Sequence, residues 1–137
     1  MLKSIKVRDY MTRGLITLKP DMELFEAISL LQKNRISGAP VVDENGHLIG
    51  VLSEGDCLNA IIEDIYYEEA GGRVSEYMST EVETIGPDED IIDIAIDFNK
   101  KRKRRFPVIE DGRLVGQISQ RDILRAVLEI AQHPSHG

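Results

Sequence analysis

The sequence holds a single cysteine, Cys57, so it has no internal disulfide and no thiolate cluster for a metal. Cys57 falls just inside an expected helix, at the place Ile123 takes further along, and reads as a buried structural thiol. Histidines are few: His47 at an expected hairpin tip, and His133 and His136 near the C-terminal end. None has finger-type or helical ligand spacing, so no metal site is expected. No apolar run is long enough for a transmembrane helix, and MLKSIKVRDYM at the start scatters charges without an apolar stretch. No membrane association and no signal peptide are expected, with the cytoplasm as the default compartment. Walker-type glycine loops and nucleophile–base pairs are also missing, and no two carboxylates are spaced for acid–base work. No catalysis is expected. The formal charge of −7 disfavours nucleic acid and anionic membranes as general partners.

What is present is one pattern written twice. Ala39 to Asp56 reads APVVDENGHLIGVLSEGD, and Phe106 to Asp122 reads FPVIEDGRLVGQISQRD. In the first, Pro40-Val41-Val42 and Leu48 to Leu52 are apolar runs separated by a turn signal that contains Asn45-Gly46. Asn-Gly tolerates the positive φ of a two-residue hairpin turn, so strand, tight turn, strand and helix start are expected in that order. The similarity extends well beyond the hairpins. Val7 matches Val74, Met11 matches Met78, Thr17 matches Thr84, Pro20-Asp21 matches Pro87-Asp88, and Pro40 matches Pro107, each 67 positions apart. After one residue is lost in the second turn the spacing is 66, pairing Gly50 with Gly116, Ser53 with Ser119 and Asp56 with Asp122.

Each half reads as β-α-β-β-α. Pro20-Asp21 and Pro87-Asp88 are expected to start the first helices, with the aspartates as N-caps. Leu24, Ala27, Ile28 and Leu31 then recur at i, i+3, i+4, i+7, and Ile91, Ile94, Ala95 and Phe98 repeat that face. The closing helices are expected near Glu54–Ile65 and Gln120–Ala131. The division expected is repeat 1 over residues 1–68, a hinge at 69–73, repeat 2 over 74–131 and a loosely ordered tail at 132–137. A half of this length has too little core to stand alone comfortably, so the halves are expected to pack through their sheets about a pseudo-twofold axis with two equivalent clefts.

Both hairpins close on Gly-x-x-Ser-x-x-Asp: Gly50, Ser53, Asp56 and Gly116, Ser119, Asp122. Two readings fit. Ser-x-x-Asp ahead of an apolar helical run is a capping box that satisfies orphan N–H groups and contributes about 1 kcal/mol. The same helix N-terminus, facing a cleft, presents N–H groups and positive dipole to a phosphate. A carboxylate there can accept both hydroxyls of a ribose cis-diol.

The ordered set of repeat, threonine three residues before proline, Pro-Val-Val-Asp strand and Gly-x-x-Ser-x-x-Asp close resembles a tandem pair of cystathionine-β-synthase (CBS) domains, a Bateman module. The resemblance covers about residues 5–131, in both copies. It implies an α/β (α+β) fold and a non-catalytic regulatory module. It also implies adenosine-containing ligands: AMP, ADP, ATP, S-adenosylmethionine or NAD, with no required cofactor. By the same resemblance Asp56 and Asp122 hold ribose, Ser53 and Ser119 touch phosphate or ribose, and Thr17 and Thr84 help hold the base. Ser37, Gly38 and Ala39 in copy one, and Arg104, Arg105 and Phe106 in copy two, line the base or phosphates. The main cleft is expected to combine Thr17, Ser37, Gly38 and Ala39 with Arg104, Arg105, Ser119, Arg121 and Asp122. The second combines Ser53, Asp56, Thr84 and Phe106, and is expected to stay empty or take fewer phosphates, because Gly55 stands where copy two has Arg121.

Lys100 to Arg105 places six cations together in a chain whose remainder sums to −13. A solvated helix C-terminus with Arg104 and Arg105 turned to the cleft is expected. Nucleic-acid binding there is the disfavoured alternative, because no aromatic platform accompanies the run. Tyr66 and Tyr67 are expected to pack against the other half or a second subunit. A homodimer and a separate regulated protein are the expected partners. The competing reading is a dimerisation or docking protein whose clefts are empty and whose Ser and Asp residues only cap helices.

Overall fold

A computed structural model of the chain describes residues 5–67 and 72–132, without the side chains of residues 64–67. Most of the expected hinge, the side chains of Tyr66 and Tyr67, His133, His136 and the tail beyond Gln132 lie outside the described residues. Cα packing divides the chain into two compact units, Ile16–Val82 and the combination of Met1–Leu15 with Glu83–Gly137. The sequence repeat and the packing unit therefore differ in one respect. The leading segment of each repeat packs with the body of the other one.

The first unit contains α2 (Leu24–Asn34), β1 (Gly38–Val42), β2 (Leu48–Ser53), α3 (Glu54–Tyr67) and the short α4 (Val74–Tyr77). The second contains the short α1 (Val7–Tyr10), α5 (Ile91–Lys101), β3 (Arg105–Glu110), β4 (Arg113–Ser119) and α6 (Gln120–Gln132). In each unit one antiparallel hairpin is flanked by two isolated bridges. Leu18 pairs parallel with Val41 and Ser79 pairs antiparallel with Val51, just as Ile85 pairs with Val108 and Thr12 with Gln117. The expected first strand of each half is thus reduced to a single bridge. The reason lies two residues on, where a parallel ladder would need its next N–H donor: Pro20 and Pro87 have none.

The helix starts differ from expectation. α2 and α5 begin at Leu24 and Ile91, with Glu23 and Asp90 at N-cap, and only Asp90 caps through its side chain, accepting from Ile92 N–H at 2.8 Å. Asp21 and Asp88 instead lie in the turns that follow the prolines. Asp88 pairs with Arg8 Nε at 2.9 Å, and Arg8 Nη2 reaches Glu110 at 2.7 Å. That pairing holds the Asp88 carboxyl below, and the Arg8 guanidinium above, its ordinary pKa.

The two hairpin turns also differ. Asp111 (φ 54°) and Gly112 (φ 80°) form the two-residue turn between β3 and β4. The first hairpin does not turn on Asn45-Gly46 alone. Asp43 N–H bonds the His47 carbonyl, Gly46 N–H bonds the Asp43 carbonyl, and Gly46 (φ 83°) takes the left-handed position of a three-residue loop. The Asp43 carboxylate accepts from Asn45 and His47 N–H, both at 2.9 Å, and its pKa is lowered chiefly by the His47 bond. The extra residue in this hairpin is accommodated there.

The cores follow the helical periodicity. Leu24, Ala27 and Leu31 are buried with Leu18, Val41, Leu52, Cys57 and Val74, while Ile91, Ile94 and Phe98 are buried with Val7, Ile85, Phe106, Val108, Ile118 and Ile123. Burial raises the Cys57 thiol pKa, as an inert structural cysteine requires. By contrast, Leu58 and Ile62 of α3 and Leu124, Val127 and Leu128 of α6 stand exposed. No helix of the described residues is long and apolar enough to cross a membrane.

Candidate ligand sites at the two hairpin mouths

In each unit the antiparallel register brings the start of the first strand to the end of the second. Gly38 lies opposite Ser53, and Arg105 lies opposite Ser119. The chain then enters a helix whose first N–H groups turn toward the residues before the strand. Glu54 N–H donates to the Ser37 carbonyl at 2.8 Å, and Gln120 N–H to the Arg104 carbonyl at 3.2 Å. Thr17 and Thr84 come to the same ends, because their successors Leu18 and Ile85 donate to the carbonyls of Pro40 and Pro107. Thr17, Ser37, Gly38, Ala39, Ser53 and Asp56 thus belong to the first unit. Thr84, Arg104, Arg105, Phe106, Ser119, Arg121 and Asp122 belong to the second.

Two glycines permit this close construction. A Cβ on Gly50 would lie 2.8 Å from Met78 Sδ and 2.8 Å from the Ser79 carbonyl oxygen. On Gly116 it would meet Met11 Sδ and the Thr12 carbonyl oxygen at the same distances. The Gly of the motif is needed for backbone approach between the last strand and the bridging segment.

Both Ser-x-x-Asp pairs are complete capping boxes. Asp56 N–H donates to Ser53 Oγ at 3.1 Å while Ser53 N–H donates to Asp56 Oδ2 at 2.9 Å. The same reciprocal bonds join Asp122 and Ser119 at 3.2 and 2.9 Å, with Ser119 Oγ donating to Asp122 Oδ2 at 3.0 Å. The capping reading is therefore satisfied at both mouths without any ligand.

The mouths differ in what surrounds the carboxylate. Asp122, 8% exposed, is the one buried charged side chain among the described residues, whereas Asp56 is half-buried. Thr12 Oγ1 donates to Asp122 Oδ1 at 3.3 Å, and Arg125 Nη2 approaches the same oxygen at 3.4 Å. Their counterparts in the first unit are Ser79 and Asn59, so no guanidinium is available from that position. Arg104 and Arg121 are exposed at the second mouth and Arg105 is partly covered, where the first mouth has Ser37, Gly55 and Gly38.

Two expected lining residues are placed otherwise. The side chains of Ala39 and Phe106 are each 2% exposed and belong to the two cores, Phe106 stacking on Phe98 with centroids 4.7 Å apart. They alternate inward on their strands, so they present backbone at the mouth. The basic run ends α5 as expected: Lys100 and Lys101 occupy its last turn, Arg102 closes it in a left-handed conformation (φ 53°), and Lys101 pairs with Glu83 at 2.6 Å. Thr12 and Arg125 were not legible as neighbours of Asp122. Their only signal is Asp122 itself, since Arg125 follows it at the i+3 spacing that shares a helix face.

A family model described as CBS domain matches residues 7–63 and again 74–129. An uncharacterized protein of Methanocaldococcus jannaschii is 32% identical over 119 residues, which is 87% of this chain and 41% of the relative. The chain thus spans less than half the length of that relative. A putative acetoin utilization protein from Vibrio cholerae superposes with TM-score 0.87 at 30% identity, covering 98% of this chain and all of that one. The Arabidopsis thaliana protein CBSX2, in complex with AMP, has TM-score 0.82 and 29% identity over 92% of this chain and 98% of that one. The CBS domain pair of protein MJ0100, in complex with 5′-methylthioadenosine and S-adenosyl-L-methionine, has TM-score 0.75 and 28% identity over 93% and 98%.

Proposed function

This chain belongs to the CBS domain family, and on that premise we propose that it is a regulatory module binding an adenosine nucleotide at the hairpin mouth closed by Asp122. The observation that carries the reading is a nearly buried carboxylate at the N-terminus of a 13-residue helix, beside Arg104, Arg105 and Arg121 of the same unit. The carboxylate suits a ribose cis-diol. The guanidinium groups and first-turn N–H groups suit phosphate oxygens. The AMP of the CBSX2 complex and the two adenosyl ligands of the MJ0100 pair are molecules of this class.

The mouth at Ser53 and Asp56 keeps the capped carboxylate but has Ser37, Gly38 and Gly55 in place of the three arginines. It is the weaker site and the one that tolerates fewer phosphates. The exposed apolar positions of α3 and α6 favour a second copy of the chain as a partner. Signalling then consists of a ligand-dependent change in the surface offered to a regulated protein, limited by the ligand's differential affinity for the two arrangements. No catalytic step is assigned to the module.

A thermal-shift panel of AMP, ADP, ATP, S-adenosylmethionine and NAD tests the reading. A ligand at a hundred times its Kd adds about 2.7 kcal/mol of apparent stability. A flat response across the panel supports the second reading, a docking protein, which the two complete capping boxes independently favour.

A further inference from the structure

The two oxygens of Asp122 are held unequally. Oδ2 sits in the capping box, 2.9 Å from Ser119 N and 3.0 Å from Ser119 Oγ. Oδ1 has two long contacts, 3.3 Å to Thr12 Oγ1, which also lies 3.5 Å from Oδ2, and 3.4 Å to Arg125 Nη2. Arg125 grips something else more closely. Its Nη2 donates to the Tyr10 carbonyl at 2.8 Å, and its Cζ lies 5.9 Å from the centroid of the Tyr10 ring. The Tyr10 phenol is in turn hydrogen-bonded to Glu129, which with burial raises its pKa. Beyond Tyr10, Met11 N–H bonds the Val7 carbonyl, and Thr12 exchanges backbone bonds with Gln117 at 2.8 and 3.0 Å. A continuous set of contacts therefore runs from Oδ1 of Asp122 into the Val7–Thr12 segment.

We propose that Arg125 and Thr12 are positioning residues for the Asp122 carboxylate, and that occupation of Oδ1 by a ribose hydroxyl is relayed through them to the Val7–Thr12 segment. The proposal rests on the nucleotide reading above. Contacts of this length to a partly exposed guanidinium are weak, so an incoming hydroxyl displaces them at little cost. Oδ2 remains fixed by the cap, which keeps the carboxylate in register while Oδ1 changes partner. Thr12 then gives up the shorter of its two contacts with the carboxylate, keeping only the 3.5 Å one to Oδ2, and Arg125 remains on Tyr10 without its acidic partner. The first unit has Asn59 and Ser79 at these places, so the guanidinium link from carboxylate to segment belongs to one mouth alone.

Hydrogen exchange on the full chain, with and without saturating AMP, tests the relay once calorimetry has measured AMP binding to each protein. In the unsubstituted protein, AMP is expected to accelerate exchange of the Met11 and Thr12 amides several-fold. In Arg125→Gln these amides exchange fast without ligand, and AMP at matched occupancy adds less than twofold. Asn59→Ala, at the matching place in the first unit, responds as the unsubstituted protein does. Bound AMP with unchanged Met11 and Thr12 exchange overturns the relay, as does an undiminished response in Arg125→Gln. A silent AMP titration of the unsubstituted protein overturns the nucleotide reading itself and the relay with it, so the two failures are distinct.

Discussion

The two hairpin mouths share a frame and differ in charge. Each has a glycine pressed against a methionine sulfur and a carbonyl, a serine–aspartate capping box, and a threonine-led bridge at its edge. Around the frame the units diverge. Ile16–Val82 contains four Lys and Arg against thirteen Asp and Glu, a net −9, whereas the rest of the chain contains thirteen against eleven, a net +2. Only the unit holding Asp122 has an electrostatic surplus to offer an anion. The frame builds a helix start, and the residues laid on it decide whether that start is also a binding site.

The strongest way to probe the shared frame is through the cores. Phe98 stacks on Phe106, where the first unit has Leu31 and Ala39. Phe98→Ala is expected to cost about 3–5 kcal/mol and Leu31→Ala about 2–5 kcal/mol by chemical denaturation. Equality of the two at the low end would remove the aromatic contribution to the second unit.

Gly50→Ala and Gly116→Ala each drive a Cβ to 2.8 Å from a backbone oxygen. Each is expected to lose about 1–3 kcal/mol, by matching amounts. A free ride at one site and a large loss at the other would show that the frames are not equivalent. Ser53→Ala and Ser119→Ala follow at about 1 kcal/mol each, the usual cost of a lost cap.

A graft sharpens the contrast in charge. Gly55→Arg places a side chain where the nearest atom is Ser53 Oγ at 3.6 Å, so it fits, and it replaces a helical glycine. Its effect on stability is expected to be small, because the gain at a helical glycine is offset by a cation in the first turn, and it is expected to tighten ATP more than AMP at the first mouth, measured by calorimetry in an Asp122→Ala background.

The smallest expected effect is acidic. Asp88 has a depressed pKa because Arg8 pairs with it, so its stabilisation is present above the ordinary carboxylate pKa and fades as pH falls below about 4. The counterpart of Arg8 in the other unit is Ser75. The Tm difference between the unsubstituted protein and Asp88→Asn should be small at pH 7 and shrink as pH falls below about 4. A difference that grows on acidification contradicts the pairing.

Periodicity and repetition made much of this arrangement readable in advance. The helix faces at Leu24, Ala27, Leu31 and Ile91, Ile94, Phe98 are buried at i, i+3 and i+7, while the i+4 members Ile28 and Ala95 are half-buried against them. The Ser-x-x-Asp pairs cap as local chemistry dictates. Features set by non-local bonds were not readable. Pro20 and Pro87 shorten the first strands because they face a ladder formed by residues about twenty positions away. Asp88 leaves its expected cap for Arg8, 80 residues earlier. Thr12 reaches Asp122 across 110 residues. No spacing rule in a single chain marks a contact of that kind.

The central claim is that the Asp122 mouth is the nucleotide site and the Asp56 mouth a weaker copy of it. Calorimetric titration of AMP and ATP into Asp122→Ala and Asp56→Ala tests it directly. Loss of a charge-assisted pair of hydrogen bonds, at about 1.5–3 kcal/mol per bond, predicts that Asp122→Ala loses the tighter site by at least about tenfold. Asp56→Ala should leave that site intact. Equal losses in the two variants, or retained tight binding in Asp122→Ala, would contradict the account.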